Sequence, residues 1–101
     1  MIVRIVRMTF RPEALDAFQA IFDGSKAAIR AVPGCQHLAL HGDASDPAVR
    51  YTYSHWDDQA ALDAYRSSPL FGQVWPRTKA LFAAKPQAFS LQLMEIVEPA
   101  G

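Results

Sequence analysis

The opening residues "MIVRIVRMTF" are rich in β-branched side chains and alternate in a way that predicts a strand with two apolar faces. Ile2, Val6, Met8 and Phe10 point one way; Val3 and Ile5, with Arg7, point the other. The period then changes. Pro12 suits the first turn of a helix, and Leu15, Phe18, Phe22, Ser25, Ile29 and Val32 recur at alternating steps of three and four, which is one stripe of an amphipathic helix. Gly24 sits inside that helix at a local cost, and Pro33-Gly34 ends it. Alternation returns in "CQHLALHG" and "RYTYSHW", which bracket the turn chemistry of "DASDPA" and predict a β-hairpin. Asp57 or Asp58 can cap the next helix, whose apolar positions include Ala61, Leu62 and Tyr65. Ser68-Pro69 predicts a fresh N-cap with proline in the first turn. Pro76 lacks an N–H and opposes the Gly72 carbonyl, so a kink or restart is expected there, with "PRTKALFAA" continuing as helix. After the linker "KPQ", the stretch "AFSLQLMEIV" predicts the last strand, with Phe89, Leu91 and Leu93 on one face and Ala88, Met94 and Ile96 on the other.

The order β-α-β-β-α-β defines an α+β, ferredoxin-like arrangement: a four-stranded antiparallel sheet with helices on one face, as a single domain over residues 1–101. Helices on one side leave the other side to water, and its residues should then be polar. The first and last strands are apolar on both faces, so a second copy of the same sheet is the expected cover, giving a homodimer.

Composition narrows the function classes. Ten basic and ten acidic side chains cancel, which argues against nucleic acid or an anionic membrane as partner. No apolar run approaches the roughly 18 residues of a membrane span. Charges spread through the first ten residues break up the core a signal peptide needs, so a cytoplasmic location is expected. Cys35 is the single cysteine, so neither an internal disulfide nor a Cys-x-x-Cys zinc pair exists. Phosphate loops, nucleophile elbows and dinucleotide fingerprints are absent.

Four segments together resemble the antibiotic biosynthesis monooxygenase family of dimeric α+β barrel proteins: "MIVRIVRMTF", "VPGCQHLAL", "YTYSHWDDQAALDAY" and "SSPLFGQVW". The likeness runs from Met1 to about Val97. It implies a dimeric α+β barrel and, as leading activity, cofactor-independent oxygenation of a quinol or phenolic small molecule. Isomerases of the same superfamily, and a non-catalytic ligand-binding or stress-related dimer, are the competing readings. The chain also departs from the family pattern. Tyr65 and Leu70 stand where many members carry histidine, and there is no Asn anywhere, which disfavours the haem-degrading branch and its Asn, Trp and His constellation. No haem, flavin or metal is therefore expected.

The candidate site residues follow. Trp56, at the end of a strand, reads either as a flat wall for an aromatic ligand or as a core residue closing the sheet–helix junction. Leu62, Phe71 and Trp75 read as further apolar lining or as core. Tyr65 can donate a hydrogen bond to a ligand oxygen. His37 and His55 are candidate bases near neutral pH. If Ala39 opposes Tyr53 in the hairpin, then His37 opposes His55; alternation then puts both histidines on the face opposite Trp56 unless a bulge intervenes. Arg4 and Arg7 project to opposite faces, and Cys35 reads as a small buried hydrophobe.

Overall fold

The computed structural model describes every residue from Met1 to Gly101. Strands β1 (Ile2–Thr9), β2 (Cys35–Gly42), β3 (Val49–Trp56) and β4 (Gln87–Gln92) form one antiparallel sheet in the order β2-β3-β1-β4. Helices α1 (Leu15–Arg30), α2 (Gln59–Arg66) and α3 (Pro69–Lys79) pack on one face of it. This is the ferredoxin-like α+β fold that the periodicity predicts, with the second crossover made of two helices.

Each junction has a local cause. A short 3-10 turn at Pro12–Ala14 leads into α1, which buries Phe18, Ser25 and Ile29. At its far end the Arg30 guanidinium donates to the Cys35 carbonyl at 2.7 Å, tying the helix to the start of β2. Between them Gly34 takes φ 87°, which side-chain-bearing residues rarely adopt. A Cβ there would lie 2.5 Å from the Ala61 Cβ, so α2 packs directly on this turn. Asp58 caps α2 by accepting from the Ala61 N–H at 2.8 Å, and Ser68 caps α3 by accepting from Phe71 N–H at 3.2 Å. Such caps contribute about 1 kcal/mol each.

In the hairpin Ala39 faces Tyr53 and His37 faces His55, while Cys35 faces Trp56. Gln36 is the extra residue of a β-bulge between Cys35 and His37. The bulge turns Cys35 toward the helices and leaves the histidines outward. Asp43 organises the hairpin loop: one carboxylate oxygen accepts from the N–H groups of Ser45 and Asp46, each at 3.0 Å, and the other accepts from the Tyr51 hydroxyl at 2.8 Å. These bonds, led by the Ser45 N–H, lower its pKa to about 2.

Three expectations are corrected. Helix α3 runs unbroken across Pro76, because Pro76 and Gly72 are both exposed and the carbonyl left without a donor faces water. It stops at Lys79, short of the expected "ALFAA" extension, because the backbone beyond it pairs with the end of β1. Arg11 N–H donates to the Leu81 carbonyl at 3.1 Å and Ala83 N–H to the Thr9 carbonyl at 2.8 Å. The last strand also ends early. Its ladder finishes at Ile2 opposite Gln92, Leu93 N–H reaches only the Met1 carbonyl at 3.3 Å, and Met94, Ile96 and Val97 are largely exposed.

The core falls into two clusters. Met8, Phe10 and Phe18 fill one end of the sheet–helix layer; Cys35, Trp56 and Leu62 fill the other. The opposite face of the sheet has no helix, and there Phe89 and Leu91 remain half exposed.

Gly34→Ala is expected to lower unfolding stability by about 1–3 kcal/mol, through positive-φ strain and displacement of Ala61. Urea denaturation checks this; a midpoint matching the wild type would show that the turn and α2 are not rigidly coupled.

Candidate functional site

Between the two clusters lies a cavity of about 200 Å³. Its floor is made by small side chains in the middle of the sheet. Thr52, Val6 and Ala88 form one cross-strand row; Ser54, Arg4 and Ser90 form the next. Trp56 and Phe10, both fully buried, fill the space to either side of these rows. Pro86 and Ala88 wall the β4 side, and β4 is exposed along its whole length, so the cavity opens there.

The walls are aromatic. Trp56 is 1% exposed, and its indole N–H donates to the Ser54 hydroxyl at 3.0 Å. Tyr65 stacks on it with ring centroids 5.1 Å apart and 19° between planes. Phe71 meets Tyr65 edge-on at 5.3 Å, and Trp75 stacks on Phe71 at 5.8 Å. The series continues through Phe82, Phe10 and Phe18 to Phe22, which lines the cavity from α1. Each pair in such a series adds about 0.5–1.5 kcal/mol beyond its buried area. The collar is therefore stiff, and it presents ring faces and edges to whatever enters.

Polar groups are few: Arg4, Thr52, Ser54, Tyr65 and Arg66. The Tyr65 hydroxyl makes no hydrogen bond within the chain. Burial, with a lesser effect of Cys35, raises its pKa to about 12, so it stays a neutral donor. Arg4 Nη1 donates to Ser90 Oγ at 2.9 Å. Burial and then the like charge of Arg66 lower its pKa. No acidic side chain lines the cavity.

Of the residues singled out from sequence, Trp56, Leu62, Tyr65, Phe71 and Trp75 come together around this one space. His37 and His55 do not. They lie on the helix-free face, with ring centroids 4.9 Å apart, beside Tyr53. The physical reason is strand alternation: the bulge falls at Gln36, before His37, so it cannot bring either histidine round to the face of Trp56. His55 Nε2 is buried without a partner, and burial, then His37, lowers the His55 pKa. No three His, Cys, Asp or Glu side chains come together as a metal-binding group.

Sequence reading left Arg4 and Arg66 out of the site. The signal for Arg4 was present: it shares the parity of Ile2, Val6 and Met8, so it is a charge placed among core-facing positions. Arg66 had no comparable signal, since it follows Tyr65 at the end of a short helix whose tilt periodicity does not reveal.

The sheet order, the helices on one face and the aromatic-walled cavity beneath them define a ferredoxin-like α+β domain. The sequence matches the family model described as antibiotic biosynthesis monooxygenase over residues 1–75. The chain belongs to that family. Among solved structures it is similar to one described as antibiotic biosynthesis monooxygenase, at 23% identity and TM-score 0.87 over 94% of this chain and all of the other. It is similar to Rv0793 from Mycobacterium tuberculosis at 24% identity and TM-score 0.87, covering 96% and 98% of the two chains. A conserved protein from Methanosarcina mazei Go1 has 16% identity and TM-score 0.86, covering 91% and 92%. At these identities the likeness is one of fold. No curated protein matches the chain by sequence.

In an alkaline titration followed by tyrosinate absorbance, Tyr65 is expected to ionise near pH 12, and Tyr65→Phe should remove that step. Because the folded value lies above the ordinary value of 10.0, the stability this group contributes is present below about pH 10 and is lost as pH rises toward 12. Ionisation of Tyr65 near its ordinary value of 10.0 in folded protein would show an open, hydrated cavity.

Proposed function

We propose that the protein is a cofactor-independent monooxygenase acting on a small quinol or phenolic molecule bound in the helix-side cavity. The observation that carries this reading is the aromatic collar of Trp56, Tyr65, Phe71 and Trp75 around a space of about 200 Å³ with one uncommitted phenol donor. An apolar cavity of about 150 Å³ holds a benzene ring, so this one suits a single substituted ring. Membership of the family supports the chemistry.

A quinol furnishes every electron the reaction needs. With one dioxygen it gives a hydroxyquinone and water: one oxygen atom enters the ring, the other leaves reduced. The substrate reacts as its anion, which reduces oxygen directly. In this reading Tyr65 donates to the substrate oxygen, Trp56 is the fixed aromatic wall on which Tyr65 stacks, and Leu62, Phe71 and Trp75 exclude water. The positive field of Arg4 and Arg66 favours loss of the quinol proton to solvent at the open side, so no histidine base is required within the cavity.

Oxygen uptake with single-ring quinols is the expected result, with one dioxygen consumed per hydroxyquinone formed. Tyr65→Phe should lower turnover roughly tenfold to a hundredfold. Loss only in His37→Ala or His55→Ala would move the chemistry to the helix-free face. Ligand-induced stabilisation with no turnover would make the protein a binding module instead.

The helix-free face is the interface of a homodimer in this reading. Family members are typically dimeric, and Val3, Ile5, Phe89 and Leu91 form an apolar surface with the orphaned His55 nitrogen beside it. Sedimentation at micromolar concentration should show a dimer burying about 1,200 Å² or more; a stable monomer would overturn this.

A further inference from the structure

The cavity is apolar over most of its wall yet holds two guanidinium groups. Arg4 projects from the centre of the sheet, in the row Leu38, Ser54, Arg4, Ser90. Arg66 reaches it from the last turn of α2. Arg4 is partly buried among apolar neighbours and Arg66 is exposed at the rim, and neither is paired with a carboxylate of the chain. The ion pairs of the chain are Arg11 with Glu13 and Lys26 with Asp23, neither of them near the cavity. The protein bond made by the Arg4 side chain is the one to Ser90 Oγ, which leaves most of its donors free, and Arg66 makes none. Two like charges are thus held together beside a low-dielectric space with no counter-charge from the protein.

We propose that this cavity recognises a carboxylate-bearing quinol, with Arg4 and Arg66 holding the carboxylate at the open side and the ring lying within the aromatic collar. A carboxylate has two coplanar oxygens, each with lone pairs for a planar N–H fork, so one group can engage both arginines. Its single charge neutralises one guanidinium. The second remains to favour ionisation of the quinol hydroxyl. A neutral quinol would leave both charges unpaired, and burying it would cost the arginines their water without return. Ser54 and Thr52 line the floor beside Arg4 and give short hydroxyls for the ring substituents. Burial first, and the like charge of Arg66 second, lower the Arg4 pKa, and a bound anion offsets both. The quinol part of this assignment rests on the oxygenase reading; the anion site does not.

The test compares 2,5-dihydroxybenzoate with its neutral isostere 2,5-dihydroxybenzamide, by calorimetry at pH 7.5 and by oxygen uptake, on wild type, Arg4→Gln and Arg66→Gln. The acid is expected to bind roughly tenfold to a hundredfold more tightly than the amide, as charge-assisted hydrogen bonds require. Either arginine substitution should remove most of that preference by weakening binding of the acid, while binding of the amide should not weaken. Arg66 is exposed on its outer side, so its variant remains informative if Arg4→Gln folds poorly. The wild-type preference should also shrink at high salt. Equal binding of acid and amide, a preference that survives both substitutions, or no binding of either compound overturns the anion site. Tight acid binding without oxygen uptake leaves the anion site standing and rejects oxygenation. Uptake with both compounds at equal affinity does the reverse.

Discussion

Everything at the site depends on how Trp56 is held. It closes the end of β3, fully buried, with its N–H satisfied by a serine two residues earlier on the same strand. A buried indole without that bond would carry an unpaired donor, at a cost of about 1–3 kcal/mol. With it, the ring is a fixed plane. Tyr65 stacks on that plane, and so α2 sits at the height of an aromatic stack above the sheet. The Gly34 turn fixes the start of the same helix through Ala61. One helix positioned at both ends makes a roof, and the short side chains beneath it make the room.

That arrangement explains why the core is divided. Continuous packing between helices and sheet would have been the more stable solution, since each filled methylene of a cavity is worth on the order of 1 kcal/mol. The chain instead concentrates its large side chains at the two ends and puts Thr52, Ser54 and Ala88 between them. The aromatic collar compensates by being mutually stacked, so the empty space is bordered by rings that do not collapse into it. Charge enters the lining at two points, Arg4 from the sheet and Arg66 from the last turn of α2.

Much of this was legible in the sequence, for identifiable reasons. Strand alternation and the three-four helical stripe gave the element order. The Asp57-Asp58 pair, of which Asp58 is the cap, Ser68 and Pro33-Gly34 marked helix boundaries because capping and positive φ demand particular residues. The same alternation placed the histidines on the far face from Trp56. Other features were hidden. The end of α3 is decided by backbone pairing of Leu81 with Arg11 and of Ala83 with Thr9, long-range contacts that local propensity does not carry. The end of β4 is likewise set by where its partner strand stops. Arg66 belongs to the site because the last turn of α2 borders the cavity, and helical periodicity fixes a face but not where a helix ends over the sheet.

The sheet order has a consequence for how the chain comes to be folded. β1 is made first, yet it is an inner strand, and both of its neighbours are made much later: Ile5 pairs with Tyr53 on one side and with Phe89 on the other. During synthesis its apolar residues wait unpaired while the hairpin of β2 and β3 can already form from nearby sequence. The sheet closes only when β4 arrives. Contacts so distant along the chain make for slow closure, and the newborn β1 is the segment most exposed to pairing with the wrong neighbour.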